Sequence, residues 1–374
     1  ILFQFDAVAA GGIVTPTDRI LLPLPLHHVY PLVVGLLAPL SLGLPIILPA
    51  AVTGPELLRA IREGKATAIV GVPRLYRALY EGIQRSIDGM GGTRSLAAHS
   101  ALVLSTALRR RLGTRLGGAL FRSVRRALGP DLRVLACGGS ALDEKLFLHL
   151  EAMGWRVAIG YGLTETSPLL TVSPPGGAKP GSAGRPVPGV QLRVDTSAAP
   201  ARRPGEGEIL ARGPGVFAGY HNLPEATEKA FTDDGWFRTD DLGSIDRQGH
   251  LHLSGRKSTV IVTESGENLQ PEEVEDLYNE HPFIEETGVL RHRGKLVAVI
   301  VPNAERVNTS GMSAVEAIRW AIDERGRTIP SYKRIADYAI SWDAPARTRL
   351  GKLRRSMLSE HYERLRRETE RGRT

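Results

Sequence analysis

The sequence predicts an α/β large domain with a mostly parallel sheet, extended by a β-rich, barrel-like subdomain and followed by a small C-terminal α+β domain. Three observations predict this. From Ile20 to about Leu192, short apolar runs alternate with amphipathic stretches of helical period. Near Pro174 that texture gives way to the Gly/Pro/Ser loop SPPGGAKPGSAGRPVPG and then to short strands without long helices. After GRKS, at Gly255–Ser258, strands and helices alternate once more. The boundaries drawn are 1–190 for the α/β part, 191–254 for the β-rich subdomain, 255–258 for a hinge and 259–374 for the C-terminal domain.

Each element follows from its residues. RILLPLPL, PIILPA, ATAIVGVP, LRVLACGG and RVAIGYG are unbroken apolar runs, as strands buried on both faces require. PELLRAIREG, PRLYRALYEGIQRSI and LDEKLFLHLEAMG repeat their apolar residues every three or four positions, as helices do. Ser140 or Asp143 is the natural N-cap of the last, and Gly154 its stop. VQLRVD, GEILARG and GSIDRQGHLHLSG supply the β-rich part. In the final segment, TVIVTESG and KLVAVIVP read as strands, and PEEVEDLYNEH and AVEAIRWAIDERG as helices. Pro271 suits the first turn of its helix, and Glu272 and Glu273 suit the positive end.

Composition narrows the function. The single Cys137 excludes an internal disulfide framework and a Cys-rich metal site, and it fits a reducing, cytoplasmic setting. Pro31, Pro39, Pro45 and Pro49 interrupt Val29–Ala51, the nearest approach to a membrane span, so it reads as buried α/β structure. Ile1 is not Met, and no secretory pattern follows it. The expectation is a start inside a longer product. The +8 net charge gathers between Arg109 and Arg126 and in the tail from Arg347 to Arg373. Solvated helical faces are the plain reading of both; the sharper readings are peripheral contact with an anionic surface such as the inner membrane face, or with a polyphosphate ligand near the tail. Nucleic acid is not expected, because no binding module is recognisable and aromatics are 6% of residues.

Several motifs carry chemistry. In YGLTET the hydroxyls of Thr164 and Thr166 flank the Glu165 carboxylate after an apolar strand, a plausible Mg²⁺–phosphate station; the competing reading is a capping turn. Asp240 and Asp241 follow Thr239 in a polar turn, where a carboxylate could hold a ribose diol or simply serve the turn. Arg256 lies where two modules meet and reads as a ligand contact or a salt bridge. Lys352, after Gly351 on a basic strip, could meet a phosphate gaining charge, or belong to a plain basic tail. His27 and His28 lack a third ligand at metal spacing and read as buried or site-lining residues. Cys137 reads as a small core residue rather than a nucleophile.

In this order, YGLTET, GEGEILARGPGVFAGYHNLPEAT, GWFRTDDLG, GRKSTVIVTESGENLQPEEVE, IPSYKR and TRLGKLRR resemble the signature blocks of the adenylate-forming, AMP-binding enzymes, over nearly the whole chain. The helical insertion 76–128, followed by GPDLRVLACGGSAL, is most similar to the bacterial long-chain fatty-acid branch of the acyl-CoA synthetases. The resemblance implies ATP-dependent conversion of a hydrophobic carboxylate to acyl-AMP, then transfer to the thiol of coenzyme A. A carrier-protein phosphopantetheine is the alternative acceptor, and a non-catalytic nucleotide- or lipid-binding relative is the alternative of a different class. It implies that Gly139, Ser140, Ala141, Tyr161 and Gly162 line the adenine pocket, and that Thr164 meets phosphate and Glu165 holds Mg²⁺. Asp241, helped by Arg256, would bind the ribose, and Lys352 would stabilise charge during adenylation. His28 would line the acyl or thiol channel, Gly266 would face the pantetheine path, and Ser258 would be the hinge of a mobile C-terminal domain.

Three departures from the family pattern stand out. The Gly/Ser/Thr-rich phosphate loop with its lysine, which the family carries upstream of LPLHH, is absent from these residues; GMGGTRS lies between helices and is no substitute. Ser258 stands where the family usually has Asp or Lys, and Asp240 where Thr-Gly-Asp is common. The first departure implies that this chain forms acyl-AMP poorly, because the β- and γ-phosphates lose their cradle.

Overall fold

The computed structural model describes all residues except 114–116, 198–204, 263–267, 348–352 and 372–374. They form two compact units. One comprises Ile1–Asp195, Glu208–Thr239 and Gly243–Leu253; the other comprises Thr196–Gly207, Asp240–Leu242 and the residues from Ser254 onward.

The first unit opens with helix α1 (Leu2–Ala10) and strand β1 (Ile20–Leu21). A π-helical segment (Tyr30–Leu37) and the short helix α2 (Ala38–Ser41) occupy the proline-broken stretch and lead to β2 (Ile46–Ile47). Next come α3 (Gly54–Glu63), β3 (Ala68–Gly71), α4 (Pro73–Asp88), α5 (Gly92–Leu112), α6 (Gly117–Leu120) and α7 (Arg122–Leu128). After these come β4 (Val134–Cys137), α8 (Glu144–Ala152), β5 (Arg156–Gly162), β6 (Leu169–Ser173) and β7 (Arg185–Pro186). The seven strands form one sheet in the order β2-β1-β3-β4-β5-β6-β7. The pairs from β2 to β5 are parallel, and β6 and β7 are added antiparallel.

Register explains the unbroken apolar runs. Ile69, Leu135 and Val157 stand side by side and face a core with Tyr76, Phe147 and Trp155. Ala68, Val70, Val134, Ala136 and Ala158 face the opposite core, which α1 and the π-helical segment cover. With both faces covered, the central strands β3 and β4 have no polar side. The α8 cap is Asp143, whose carboxylate accepts from the Leu146 N–H at 2.9 Å; Ser140 is left to the preceding loop.

The β-rich part contains β8 (Gln191–Asp195), β9 (Gly207–Arg212), helix α9 (Pro224–Ala230), β10 (Phe237–Ile245) and β11 (Leu251–Arg256). Its sheet runs β11-β10-β9-β8 and packs a small core around Ala183, Ile209 and Leu251. One reading is corrected here: Thr239, Asp240 and Asp241 lie inside β10, not in a turn. Within this polar part of the strand, Asp240 takes a left-handed conformation, φ +62°. The left-handed region tolerates Asp and favours Gly, so the backbone accounts for the glycine usual at this family position.

The second unit pairs β12 (Ile261–Val262) with β13 (Asn268–Leu269) and continues through α10 (Pro271–Asn279) to the hairpin β14 (Ile284–His292) and β15 (Lys295–Pro302). Helices α11 (Ala304–Ser310) and α12 (Ala314–Thr328) precede β16 (Asp337–Ile340), which joins β15 in parallel. A Ser313–Glu316 capping box starts α12. The last helix, α13 (Arg355–Arg371), falls in the tail read as a solvated helical face, but it is packed on one side. Its Leu358 and Tyr362 are buried against Val297, Val299 and Ala339. Much of the basic tail is thus a packed amphipathic helix.

Candidate adenylate site

Parallel strands β4 and β5 end side by side, with Cys137 in register with Ile159, so the loops after them share one end of the sheet. Ligands of open α/β sheets sit at such carboxyl ends. The loop after β4 carries Gly138–Ala141; the end of β5 and the turn beyond carry Tyr161, Gly162, Thr164 and Glu165. Tyr30 marks the same end. It is buried and donates its hydroxyl to the carbonyls of Gly71 and Ala136 at 3.3 and 3.2 Å. A side chain on Gly138 would meet the Tyr30 ring at 2.9 Å, so that position needs glycine. His28, half-buried and two residues before Tyr30, belongs to this end as well, and its ring lies 4.2 Å from that of His27. Burial pushes the Cys137 thiol far up, which keeps it protonated and fits a core residue.

Thr164–Thr166 form a single 3₁₀ turn. Thr166 closes it from below: its hydroxyl accepts from the Leu163 N–H at 2.9 Å and donates to the Pro168 carbonyl at 2.5 Å. A Cβ on Gly162 would come within 1.6 Å of that same carbonyl oxygen. Thr164 is exposed and Glu165 half-buried. Two contacts fix Glu165. The Phe217 N–H donates to its main-chain carbonyl at 2.8 Å, and the Tyr220 hydroxyl donates to its carboxylate at 3.1 Å. Burial, reinforced by that carboxylate, raises the Tyr220 pKa and keeps it a donor. Phe217 packs edge-on to Tyr220 at 4.8 Å and also contacts Phe231 and Phe237.

Gln4 is a positioning residue that the sequence reading missed. It is fully buried in α1. Its amide donates to the carbonyls of Thr166 and Leu169 at 2.8 and 3.3 Å and accepts from the Leu169 N–H at 3.2 Å. Gln4→Leu leaves those backbone groups unpaired in an apolar setting. The expected loss is about 3 kcal/mol of stability, at 1–3 kcal/mol for each unsatisfied group. Urea denaturation checks it, and a loss below about 1 kcal/mol would mean that water replaces the amide.

In the second unit the structure joins two further candidates. The Arg256 Nε donates to the Asp241 carboxylate at 2.9 Å, and Asp241 is buried. Buried Gln270 braces this arginine from behind: it accepts from the Arg256 N–H at 3.3 Å and donates to the Arg256 carbonyl at 3.1 Å. Ser258 donates its hydroxyl to Asp240. Lys352 and Gly266 lie outside the described residues. Among the described residues no cluster of three or more His, Cys, Asp or Glu side chains could hold a metal ion alone. A lone carboxylate beside hydroxyls still fits Mg²⁺, which takes most of its ligands from water and substrate phosphates.

The AMP-binding enzyme family matches residues 2–221, and the AMP-binding enzyme C-terminal domain matches residues 258–365. The chain belongs to the AMP-binding enzyme family. Long-chain-fatty-acid–CoA ligase FadD15 of Mycobacterium bovis is 35% identical over 256 residues, covering 66% of this chain and 41% of the ligase. Probable CoA ligase CCL8 of Humulus lupulus is 29% identical over 384 residues, covering 96% of this chain and 57% of that protein. The chain thus spans about half the length of the curated relatives it matches. Among solved structures, ATP-bound MatB from Rhodopseudomonas palustris is 25% identical with a TM-score of 0.72, over 97% of this chain and 64% of that one. The AMP complex of O-succinylbenzoate coenzyme A synthetase from Bacillus subtilis gives the same TM-score at 24% identity, over 96% and 64%, and shows the shared fold. No helix among the described residues is long and apolar enough to cross a membrane.

Proposed function

We propose that this chain is the nucleotide- and thiol-handling part of an acyl-CoA ligase whose acid is hydrophobic and of medium or long chain. The observation that carries the reading is the braced Asp241–Arg256 pair, together with a family match to residues 2–221 and 258–365. The names of FadD15 and of other relatives support coenzyme A as acceptor and a fatty acid as donor.

In this reading Asp241 accepts hydrogen bonds from both ribose hydroxyls, and Arg256 holds its carboxylate in place. Gly139–Ala141, Tyr161 and Gly162 line the adenine, while the Thr164 hydroxyl donates to the α-phosphate. Glu165, held by Tyr220, would bind Mg²⁺, which neutralises charge on the phosphates. The carboxylate of the acid attacks the α-phosphorus, and pyrophosphate leaves as Lys352 stabilises the oxygens that gain charge. The thiol then attacks the acyl carbon, AMP departs, and rotation about Ser258 replaces Lys352 with the pantetheine path near Gly266. His28 lines the acyl or thiol channel.

The test supplies synthetic acyl-AMP to the purified chain with either coenzyme A or a holo carrier protein. Acyl-CoA and AMP in equal amounts, faster with dodecanoyl- than with acetyl-AMP, are expected. Thioester on the carrier alone would move the assignment to the other acceptor, and no thioester at all would overturn the ligase reading.

A further inference from the structure

From Gly89 to Gly129 the chain has eight arginines, no lysine and no acidic residue. The remainder then holds 48 − 8 = 40 basic and 40 acidic residues and sums to zero, so the +8 of this stretch equals the net charge of the whole chain. It forms α5, α6 and α7.

Helix α5 has two distinct faces. Leu102, Ser105 and Arg109 turn inward. Leu102 is buried, Ser105 donates to the Ala152 carbonyl at 2.8 Å, and Arg109 pairs with fully buried Glu151 at 2.5 Å. Leu96, Ser100, Val103, Leu104, Ala107 and Arg111 recur at helical spacing on the outward face. Leu96, Val103 and Leu104 are 68, 71 and 57% exposed, well beyond what a solvated helix face needs. Arg94, Arg111, Arg122 and Arg126 have no carboxylate partner among the described residues.

We propose that the outward face of α5, with the arginines of α5 and α7, docks this protein on an anionic lipid bilayer. Apolar side chains enter the acyl boundary while arginines meet lipid phosphates, the division of labour of an in-plane amphipathic helix. The charge complements any polyanion. The exposed leucines and valine decide for a bilayer, because a nucleic-acid backbone offers them nothing. This surface shares no residue with the proposed adenylate contacts, so its test stands apart from that of the ligase reading.

The test sediments the full chain with phosphatidylcholine vesicles, with and without phosphatidylglycerol. Arg109 is left intact because it serves the buried Glu151 pair. Binding is expected only when phosphatidylglycerol is present, and it weakens as salt rises. Joint Arg111→Gln, Arg122→Gln and Arg126→Gln substitution is expected to weaken it about 100-fold, from a roughly fivefold contribution per arginine. Leu96→Ser with Val103→Ser also weakens it, and neither variant shifts the melting temperature, since all five positions are exposed. Absence of vesicle binding, or binding that ignores both variants, overturns the proposal. So does ultracentrifugation showing a dimer that the Leu96→Ser, Val103→Ser variant dissolves, because the face is then covered by a second copy.

Discussion

Asp241→Ala is expected to weaken AMP binding roughly 100-fold. Two charge-assisted hydrogen bonds to the ribose diol disappear, at about 1.5 kcal/mol each. The structure adds a reason for a large effect. The carboxylate is buried, and Arg256 holds it at 2.9 Å while Gln270 braces that arginine, so its orientation is set before nucleotide arrives. The same substitution leaves Arg256 without its carboxylate. Arg256→Ala should cost less, about fivefold, because it loosens the acceptor without removing it. Titration calorimetry with AMP reads both variants. Equal affinity for wild type and Asp241→Ala would remove the ribose from this carboxylate.

Lys352→Ala separates the two half-reactions. The account expects acyl-AMP formation to fall by about 10²–10³, the range for losing one donor aimed at developing charge. Transfer from supplied acyl-AMP to coenzyme A should stay within about threefold, because the proposal confines the lysine to the first step. Single-turnover assays with protein in excess measure each half. Equal losses in both halves would deny the lysine a role confined to adenylation.

The sheet was legible because its central strands are mostly apolar and buried: the runs read as strands at Ala68–Gly71, Val134–Cys137 and Arg156–Gly162 contain the strands found there. Elements with one charged face were harder. Helix α13 spaces Leu358, Tyr362 and Leu365 among nine arginines and glutamates, so its narrow apolar stripe was lost in the charge of the tail. Strand β14 was missed for a similar reason, with Glu285, Glu286 and Thr287 masking its alternation. Asp240 hid a strand because three polar residues in a row imitate a turn, while the signal was the left-handed backbone.

The candidate site divides in the same way. The residues proposed to meet ligand lie in recognisable blocks, as Glu165, Asp241 and Arg256 do. The residues that aim them do not. Gln4 lies 162 positions from Thr166, and Gln270 lies 14 from Arg256. Tyr220 stood inside the quoted GVFAGYHNLPEAT block without a role until its hydroxyl was found on Glu165. No local pattern marks a buried amide that serves a distant loop, because the demand comes from unpaired backbone groups elsewhere.

Hydrogen exchange with and without AMP tests the central claim most directly. The account predicts slowed exchange in four places: the loop at Gly138–Ala141, the turn at Tyr161–Thr166, the strand at Thr239–Asp241, and Gly255–Lys257. Protection confined to other segments, or none at saturating AMP, would contradict it.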